Sequence, residues 1–306
     1  MRDGLLSERT SRALIAAGVD VAAAERVLRA ALVEDLGEAG DVTSASTVDD
    51  ARQLTAHYVS RSSGVLAGVP LIDAVFDLVA PGQARVTDVL DDGADVEPGG
   101  RIATVTAPAR AMLTAERTSL NLVGRLSGVA TVTRRWVDAV AGTGARIRDT
   151  RKTTPGLRDL EKYAVRCGGG VNHRRGLFDG YLVKDNHIAA AGGVGAALTR
   201  IARAGGPSLP VQVEVDDMDQ LADALAHRPP SILLDNFTVE ELAAAVTAIR
   251  SASPETTVEA SGGLRLERAR EVAETGVDYL AVGQLTHSAP QLDIGLDIGL
   301  DVALLH

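Results

Sequence analysis

Cationic side chains concentrate in one stretch of this chain, 146–184, RIRDTRKTTPGLRDLEKYAVRCGGGVNHRRGLFDGYLVK, which holds ten Lys or Arg against four Asp or Glu. That local net of +6 sits in a chain of net charge −10, so the remainder carries −16. A basic island in an acidic protein suits a small anionic ligand better than a polyanion. Arg158 to Arg166 reads well as a solvated helix face laced with ion pairs. Arg151, Lys152, His173, Arg174 and Lys184 do not, because they stand beside turn residues or at the end of an apolar run.

Acidic residues close two short apolar runs, Glu214 in VQVEV and Asp235 in SILLD. Carboxylates there suit sugar hydroxyls or Mg²⁺; solvated strand ends are the plainer reading. The six histidines show no paired metal-ligand spacing, which argues against a transition-metal site. Ser261-Gly262-Gly263 stands between a strand pattern and a helical pattern from Leu264 to Thr275, which leaves backbone N–H groups open to an anion, and Gly283 opens a second such turn. Either alone is an ordinary turn; two in succession favour phosphate. AGTGARI lacks the third glycine of a dinucleotide loop, and GGVGAAL follows a helix-like stretch instead of a strand, so neither supports a dinucleotide fold. The single cysteine, Cys167, excludes an internal disulfide, fits a reducing compartment and has no base and orienter arrayed near it for nucleophilic work.

The elements that must position these residues change rhythm midway along the chain. Asp20 is placed to cap a helix from Val21 to Leu36, with Val21, Ala24, Val27, Leu28, Ala31 and Leu32 along one side. Gln53 to Val59 alternates like a strand, Gly64 to Val69 and Ala84 to Leu90 are further strands broken by Pro81-Gly82, and Asp95 to Pro108 reads as a turn and a strand. This half predicts an antiparallel sheet with helices. A long helix follows from Met112 to Val140, with Ser127-Gly128 marking a kink. Beyond it, short apolar runs at 146–149, 181–184, 211–215, 231–235, 257–260 and 279–282 alternate with helical segments, which implies parallel pairing through right-handed crossovers. In a β/α barrel the endings DTRK, VKDN, VEVD, LLDN, EASGG and AVGQ would meet at one mouth. A doubly wound sheet would also place ligands at strand ends and is the structural alternative.

Composition narrows the partners. The 306 residues are 45% hydrophobic and only 3% aromatic, which suits a substantial core of tightly packed βα units. The acidic balance argues against nucleic acid, whose binding relies on extended basic surface. No uncharged apolar stretch is long enough to span a bilayer, and MRDGLLSERT is acidic where a signal peptide is basic then apolar, so a cytoplasmic protein with no membrane partner is expected.

Taken in order, IRDTRKTTPGLRDLEKYAV, GGGVNHRRGLFDGYLVKDNHI, VEVD, LLDN, EASGG and VGQLTHS resemble the quinolinate phosphoribosyltransferase family, the decarboxylating nicotinate-nucleotide pyrophosphorylases of NAD biosynthesis. The likeness runs from EDLGEAGDVTS at Glu34 to LDIGLDIGLD, a repeat that carries no chemistry of its own. The full DTRKTTPG and NHRRGL strings set the chain apart from a lineage linked to molybdenum transport and from nicotinate phosphoribosyltransferases.

The resemblance implies an α/β chain: an N-terminal α/β sandwich of 1–126 joined by the C-terminal segment 287–306, and a separate open, TIM-like α/β barrel over 127–286. It implies a homodimer, alone or within a larger oligomer, in which Arg117 of AERTSLN completes the site of the other subunit. Arg151, His173 and Arg174 would bind the two carboxylates of quinolinate with help from Lys152 and Lys184, and Thr150 and His287 would join the substrate site. Glu214 and Asp235 would face the ribose hydroxyls and the cofactor Mg²⁺ of phosphoribosyl pyrophosphate, holding the metal directly or through water. Ser261, Gly262, Gly263, Gly283, Gln284 and Leu285 would bind phosphate, and Lys152, Lys184, Glu214 and Asp235 would be the catalytic residues. The residue types agree, since a planar dicarboxylate calls for guanidinium forks and a dense cationic pocket offsets the desolvation of a dianion. The implied reaction is attack of the pyridine nitrogen on ribose C1 as pyrophosphate leaves, followed by loss of the adjacent carboxylate as CO₂, giving nicotinate mononucleotide. A non-catalytic phosphate or nucleotide sensor on the same scaffold is the alternative, but it has no need of both a carboxylate cage and metal carboxylates.

Overall fold

The computed structural model describes residues 6–49, 51–204 and 208–299; the expected reach of the first domain to residue 1 and of the C-terminal segment to 306 lies outside them. The chain divides into two compact units, one of Met1–Val132, Thr153–Gly169 and Thr286–His306, the other of Thr133–Lys152 and Gly170–Leu285.

The first unit opens with α1 (Glu8–Ala16), α2 (Val21–Leu36) and α3 (Val42–Thr47), each started by a side chain that accepts a backbone N–H: Ser7 from Thr10, Asp20 from Ala23, Asp41 from Ser44. The buried stripe of α2 is Ala23, Ala24, Leu28 and Leu32. Then come β1 (Gln53–Ser60), β2 (Gly64–Val65), α4 (Pro70–Val79), β3 (Arg85–Thr87), β4 (Asp95–Val96) and β5 (Arg101–Pro108). β1 and β3 flank β5 in antiparallel pairs, as predicted. The strand expected at 64–69 stops at Val65; Leu66 N–H still bonds Ala94 O at 2.9 Å, and beyond it the donors turn to side chains, Ala67 N–H to Ser127 Oγ at 3.0 Å and Gly68 and Val69 N–H to the Asp92 carboxylate at 3.0 Å each. The strand expected at 84–90 is likewise shorter, at Arg85–Thr87.

α5 (Ala109–Ala139) is one helix of 31 residues that runs through Ser127-Gly128, so the expected kink is not a break. These residues are small for another reason. Ser127 reaches Ala67, and a Cβ on Gly128 would lie 1.9 Å from the Pro290 carbonyl oxygen, so only glycine lets that backbone approach.

β6 (Arg146–Arg148) starts the sheet of the second unit, but α6 (Arg158–Cys167), which follows it, belongs to the first. The solvated face expected for Arg158 to Arg166 is corrected here, because Leu160 to Val165 are all buried, Glu161 and Lys162 among them. Glu161 is tolerated without water because its carboxylate accepts from Arg125 Nε and Nη2 at 3.1 and 2.7 Å and from Thr154 N and Oγ1 at 2.9 and 2.7 Å. Tyr163 donates its hydroxyl to Asp92. These bonds explain why 153–169 departs from the barrel boundary expected from the sequence.

The second unit continues with β7 (Tyr181–Val183), α7 (Asp185–Ala191), α8 (Val194–Arg203), β8 (Val211–Val215), α9 (Met218–Ala226), β9 (Ser231–Asp235), α10 (Val239–Ala252), β10 (Thr257–Ser261), α11 (Ala269–Glu274) and β11 (Tyr279–Ala281). The six strands form one parallel sheet in the order β6-β11-β10-β9-β8-β7. Strands β7 to β11 follow one another in space as in sequence, and the first strand lies beside the last. That cyclic order is a barrel with one open seam, between β6 and β7; a doubly wound sheet would reverse direction at a switch point, so that alternative falls. Alternation within each strand then divides the residues. Val213, Val215, Ile232, Leu234, Val258 and Ala260 are fully buried apolar positions, while Gln212, Glu214, Ser231, Leu233, Asp235, Glu259 and Ser261 occupy the other face. After α12 (Gln284–His287), β12 (Ile294–Ile298) pairs antiparallel with β1 in the first unit.

Candidate active site

A cavity of about 330 Å³ lies within the second unit, at the strand ends. Thr150, Arg151 and Lys152 line it after β6, with His173 and Arg174 ahead of β7 and Lys184 behind it. Glu214, Asp235 and Ser261 enter from β8, β9 and β10, with Asp149, Leu182, Leu233, Glu259 and Ala281 completing the wall. Strand register accounts for the convergence, since Ser261 lies opposite Asp235 and Glu214 opposite Leu233. The cationic group and the two acids predicted from the sequence therefore share one chamber.

Seven predicted residues do not line it. Gly262 and Gly263 follow Ser261 at φ of 83° and 57°, and a Cβ on Gly262 would lie 2.2 Å from Asn236 Oδ1 and 2.7 Å from Asn236 N. Glycine is thus needed there by backbone geometry and a close neighbour as well as by any ligand. Gly283 leads into α12, whose first two residues are Gln284 and the buried Leu285. His287 is exposed and its Nδ1 is 2.6 Å from Ser288 Oγ. Arg117 is exposed on α5, where it borders a hollow of about 110 Å³ with Glu34 and Asp35.

Two arginines define the cationic wall. The Nε atoms of Arg151 and Arg174 are buried and have no hydrogen-bond partner, although Arg174 Nη1 donates to Gly180 O at 2.9 Å. Burial, and then the neighbouring charge of Arg151, lower the pKa of Arg174, with Asp179 opposing. Paired guanidinium groups with unanswered buried donors are unfavourable until an anion arrives. Lys152 is set by its turn, its N–H donating to Thr150 Oγ1 at 3.1 Å.

The acidic wall is organised differently. Lys184 Nζ lies 2.5 Å from Glu214 Oε2, with Glu214 nearly buried and Lys184 partly exposed. Burial nevertheless raises the pKa of Glu214, Lys184 only partly offsets it, and Asp235 and Asp216 push the same way as burial. Asp235 accepts from Asn236 Nδ2 at 2.7 Å. Among the described residues no group of three His, Cys, Asp or Glu could hold a metal. Two carboxylates on one wall suit Mg²⁺, which keeps several waters and takes substrate phosphate oxygens. Cys167 does not line the cavity, and burial pushes its thiol up to about 11, away from the thiolate form.

A layer beneath the cavity was not singled out in the sequence. Asp149, fully buried, accepts from His173 N–H at 2.7 Å and Asn172 Nδ2 at 2.6 Å. Glu259 Oε2 receives Arg148 Nη1 at 2.7 Å and Gln212 Nε2 at 2.9 Å. The signal was present: Gln212 and Glu259 stand two residues before Glu214 and Ser261, on the same face of their strands.

Comparison with known proteins places this geometry. The family described as quinolinate phosphoribosyl transferase matches through its C-terminal domain over residues 129–297 and its N-terminal domain over 41–127. A nicotinate-nucleotide pyrophosphorylase [carboxylating] of Mycobacterium leprae is 54% identical over 276 residues, 90% of this chain and 97% of that protein. The solved nicotinate-nucleotide pyrophosphorylase of Francisella tularensis superposes with a TM-score of 0.84 at 34% identity, covering 97% of this chain and 100% of that one. That of Ehrlichia chaffeensis gives 0.85 at 36% identity, covering 90% and 98%.

Proposed function

This chain belongs to the quinolinate phosphoribosyltransferase family, transferring phosphoribosyl from phosphoribosyl pyrophosphate to quinolinate with loss of CO₂ in NAD biosynthesis, and we propose that the cavity of its second unit is where it does so. The observation that carries this reading is the pair of buried, unpartnered Nε–H groups on Arg151 and Arg174. A planar dianion answers both, and guanidinium forks orient it where an ammonium would only attract it. Lys152 adds charge at the same wall.

Glu214 and Asp235, across the chamber, are read as holding the ribose hydroxyls and, directly or through water, Mg²⁺. Held by these carboxylates, the metal would supply charge neutralisation for the departing pyrophosphate. Lys184, drawn to Glu214, keeps that carboxylate oriented and offers its remaining donors to the phosphates. Ser261 and the turns at Gly262, Gly263 and Gly283 to Leu285, with Thr150 and His287, are read as further substrate contacts. With the two ligands fixed on opposite walls, the pyridine nitrogen meets C1 of the ribose in one orientation, and positioning supplies most of the acceleration. Bond formation makes the ring nitrogen cationic. The electron pair released as the adjacent carboxylate departs as CO₂ stays on the ring carbon beside that cationic nitrogen and takes up a proton from water, while the arginines hold the remaining carboxylate.

Chromatography of the full chain with Mg²⁺, phosphoribosyl pyrophosphate and either quinolinate or nicotinate tests this. Nicotinate mononucleotide is expected from quinolinate alone; product from nicotinate alone would overturn the reading. Its acidic chain and free thiol suit the cytoplasm, a location that fractionation would check.

The reading also includes a homodimer in which Arg117 completes the site of the other subunit. Arg117→Ala and Lys152→Ala chains should each be almost inactive yet recover when refolded together. Random pairing makes about half the dimers mixed, each with one whole site of two, hence roughly a quarter of the activity of wild type taken through the same cycle. Mixed dimers that remain at the single-variant floor would refute the shared site.

A further inference from the structure

We propose that a buried relay beneath the cavity, Arg148–Glu259–Gln212–His173, fixes the tautomer of His173 and through it the backbone of Arg174, which makes Gln212 and Glu259 positioning residues for quinolinate. The positioning role rests on the reading of Arg174 given above. Arg148 anchors the far end, its guanidinium lying 3.3 Å from the centroid of the Tyr279 ring and its Nη1 donating to Glu259 Oε2 at 2.7 Å. Glu259 is 0% exposed and Gln212 5%. Gln212 Nε2 donates to the same Oε2 at 2.9 Å and to Ser231 Oγ at 3.1 Å. Its Oε1 lies 2.6 Å from His173 Nε2, and His173 Nδ1 accepts from Arg174 N–H at 2.7 Å.

Donor and acceptor chemistry gives these links a single polarity. A carboxylate paired with a guanidinium offers only acceptors, so Gln212 turns its NH₂ towards Glu259. The amide oxygen is left for His173. An oxygen accepts, so His173 carries its proton on Nε2 and presents a lone pair at Nδ1, which is what the Arg174 N–H requires. Reversing any link would set two donors or two acceptors face to face around the buried Gln212 and Glu259 side chains, and such mismatches are costly. Strand geometry places the parts: Gln212 and Glu259 sit on β8 and β10, opposite Ser231 and Leu233 of the intervening β9. The relay therefore crosses the barrel interior below the ligand chamber and ends at the residue that grips it. Arg148 and Gln212 do not line the chamber, and Glu259, which borders it, has its Oε2 taken by Arg148 and Gln212, so these three act through His173 and Arg174.

The test uses the full-length chain labelled with ¹⁵N-histidine. Long-range ¹H–¹⁵N spectra, with His173→Asn assigning the resonance, report which ring nitrogen is protonated. The wild type should show the Nε2–H tautomer at His173. Gln212→Met keeps the side-chain volume and removes the amide, and Glu259→Gln makes the amide orientation ambiguous; both should mix the tautomers. Losing the bond that seats Arg174 should raise the KM for quinolinate roughly tenfold, with the KM for phosphoribosyl pyrophosphate within about twofold as a control for a disturbed fold. An Nδ1–H tautomer in the wild type, or Nε2–H retained in both variants, would overturn the relay. A tautomer that shifts while the quinolinate KM stays fixed would overturn the positioning role. Arg174→Lys, measured alongside, separates the failures: if it too leaves that KM unchanged, the fault lies in the assignment of Arg174.

Discussion

Replacing Arg174 with lysine keeps the charge and removes the planar fork. In the structure Arg174 is partly buried, with one terminal nitrogen on Gly180 O at 2.9 Å and Nε without a partner. A bound carboxylate would take two charge-assisted bonds from the guanidinium and one from an ammonium. The lost bond is worth about 1.5–3 kcal/mol, which converts to roughly 10- to 150-fold in the KM for quinolinate. Fold stability should hardly move. The variant loses the Gly180 bond, about 1 kcal/mol, while the burial and the neighbouring charge of Arg151 that hold the Arg174 pKa down act on either cation. Its melting temperature is therefore expected within about 3 °C of wild type. Initial rates with each substrate varied at saturating levels of the other, together with calorimetry, give all three quantities. A quinolinate KM that changes less than threefold, or an equal change for phosphoribosyl pyrophosphate, would refute the fork.

Glu214→Gln should separate activity from stability. Burial holds the folded-state pKa of Glu214 above its ordinary value, so its ionised form disfavours the folded state at neutral pH, and that penalty disappears as pH falls through the raised value towards the ordinary one. The variant should thus melt no lower than wild type at pH 7, converge with it as the pH enters the carboxylate range, and lose about a hundredfold or more in turnover; a lower melting temperature at pH 7 would contradict this. Gly128→Ala should behave oppositely, since its Cβ meets the Pro290 carbonyl oxygen at 1.9 Å. A loss of about 3 kcal/mol is expected, visible as a melting temperature several degrees lower, and an unchanged melting curve would show that the 290 segment moves aside freely.

Much of the site was legible because a parallel β/α array delivers the last residues of every strand to one mouth. Arg151, Lys184, Glu214, Asp235 and Ser261 all follow from that rule and their chemistry. The layer below was harder to read. Arg148, Gln212 and Glu259 look like scattered polar residues inside strands, and only the register across β8, β9 and β10 shows that they meet. α6 misled for a related reason: Glu161 and Lys162 read as solvent-facing, whereas Glu161 is buried by an arginine 36 positions earlier. Ser127-Gly128 likewise signals close packing instead of a kink, because the atoms that demand it belong to residues 67 and 290, far away in sequence. Local pattern reports where a strand ends and what chemistry it carries; it does not report distant partners.

The central claim, that the two buried Nε–H groups of Arg151 and Arg174 receive the carboxylates of quinolinate, is open to direct measurement by ¹⁵N-arginine spectra of the full-length chain during titration. Arg151→Lys and Arg174→Lys assign the two Nε–H resonances. Both should move downfield and saturate together as quinolinate is added, as donors do when they gain a charged acceptor, while nicotinate, with one carboxylate, should move one at most. Neither resonance shifting at saturating quinolinate would contradict the claim.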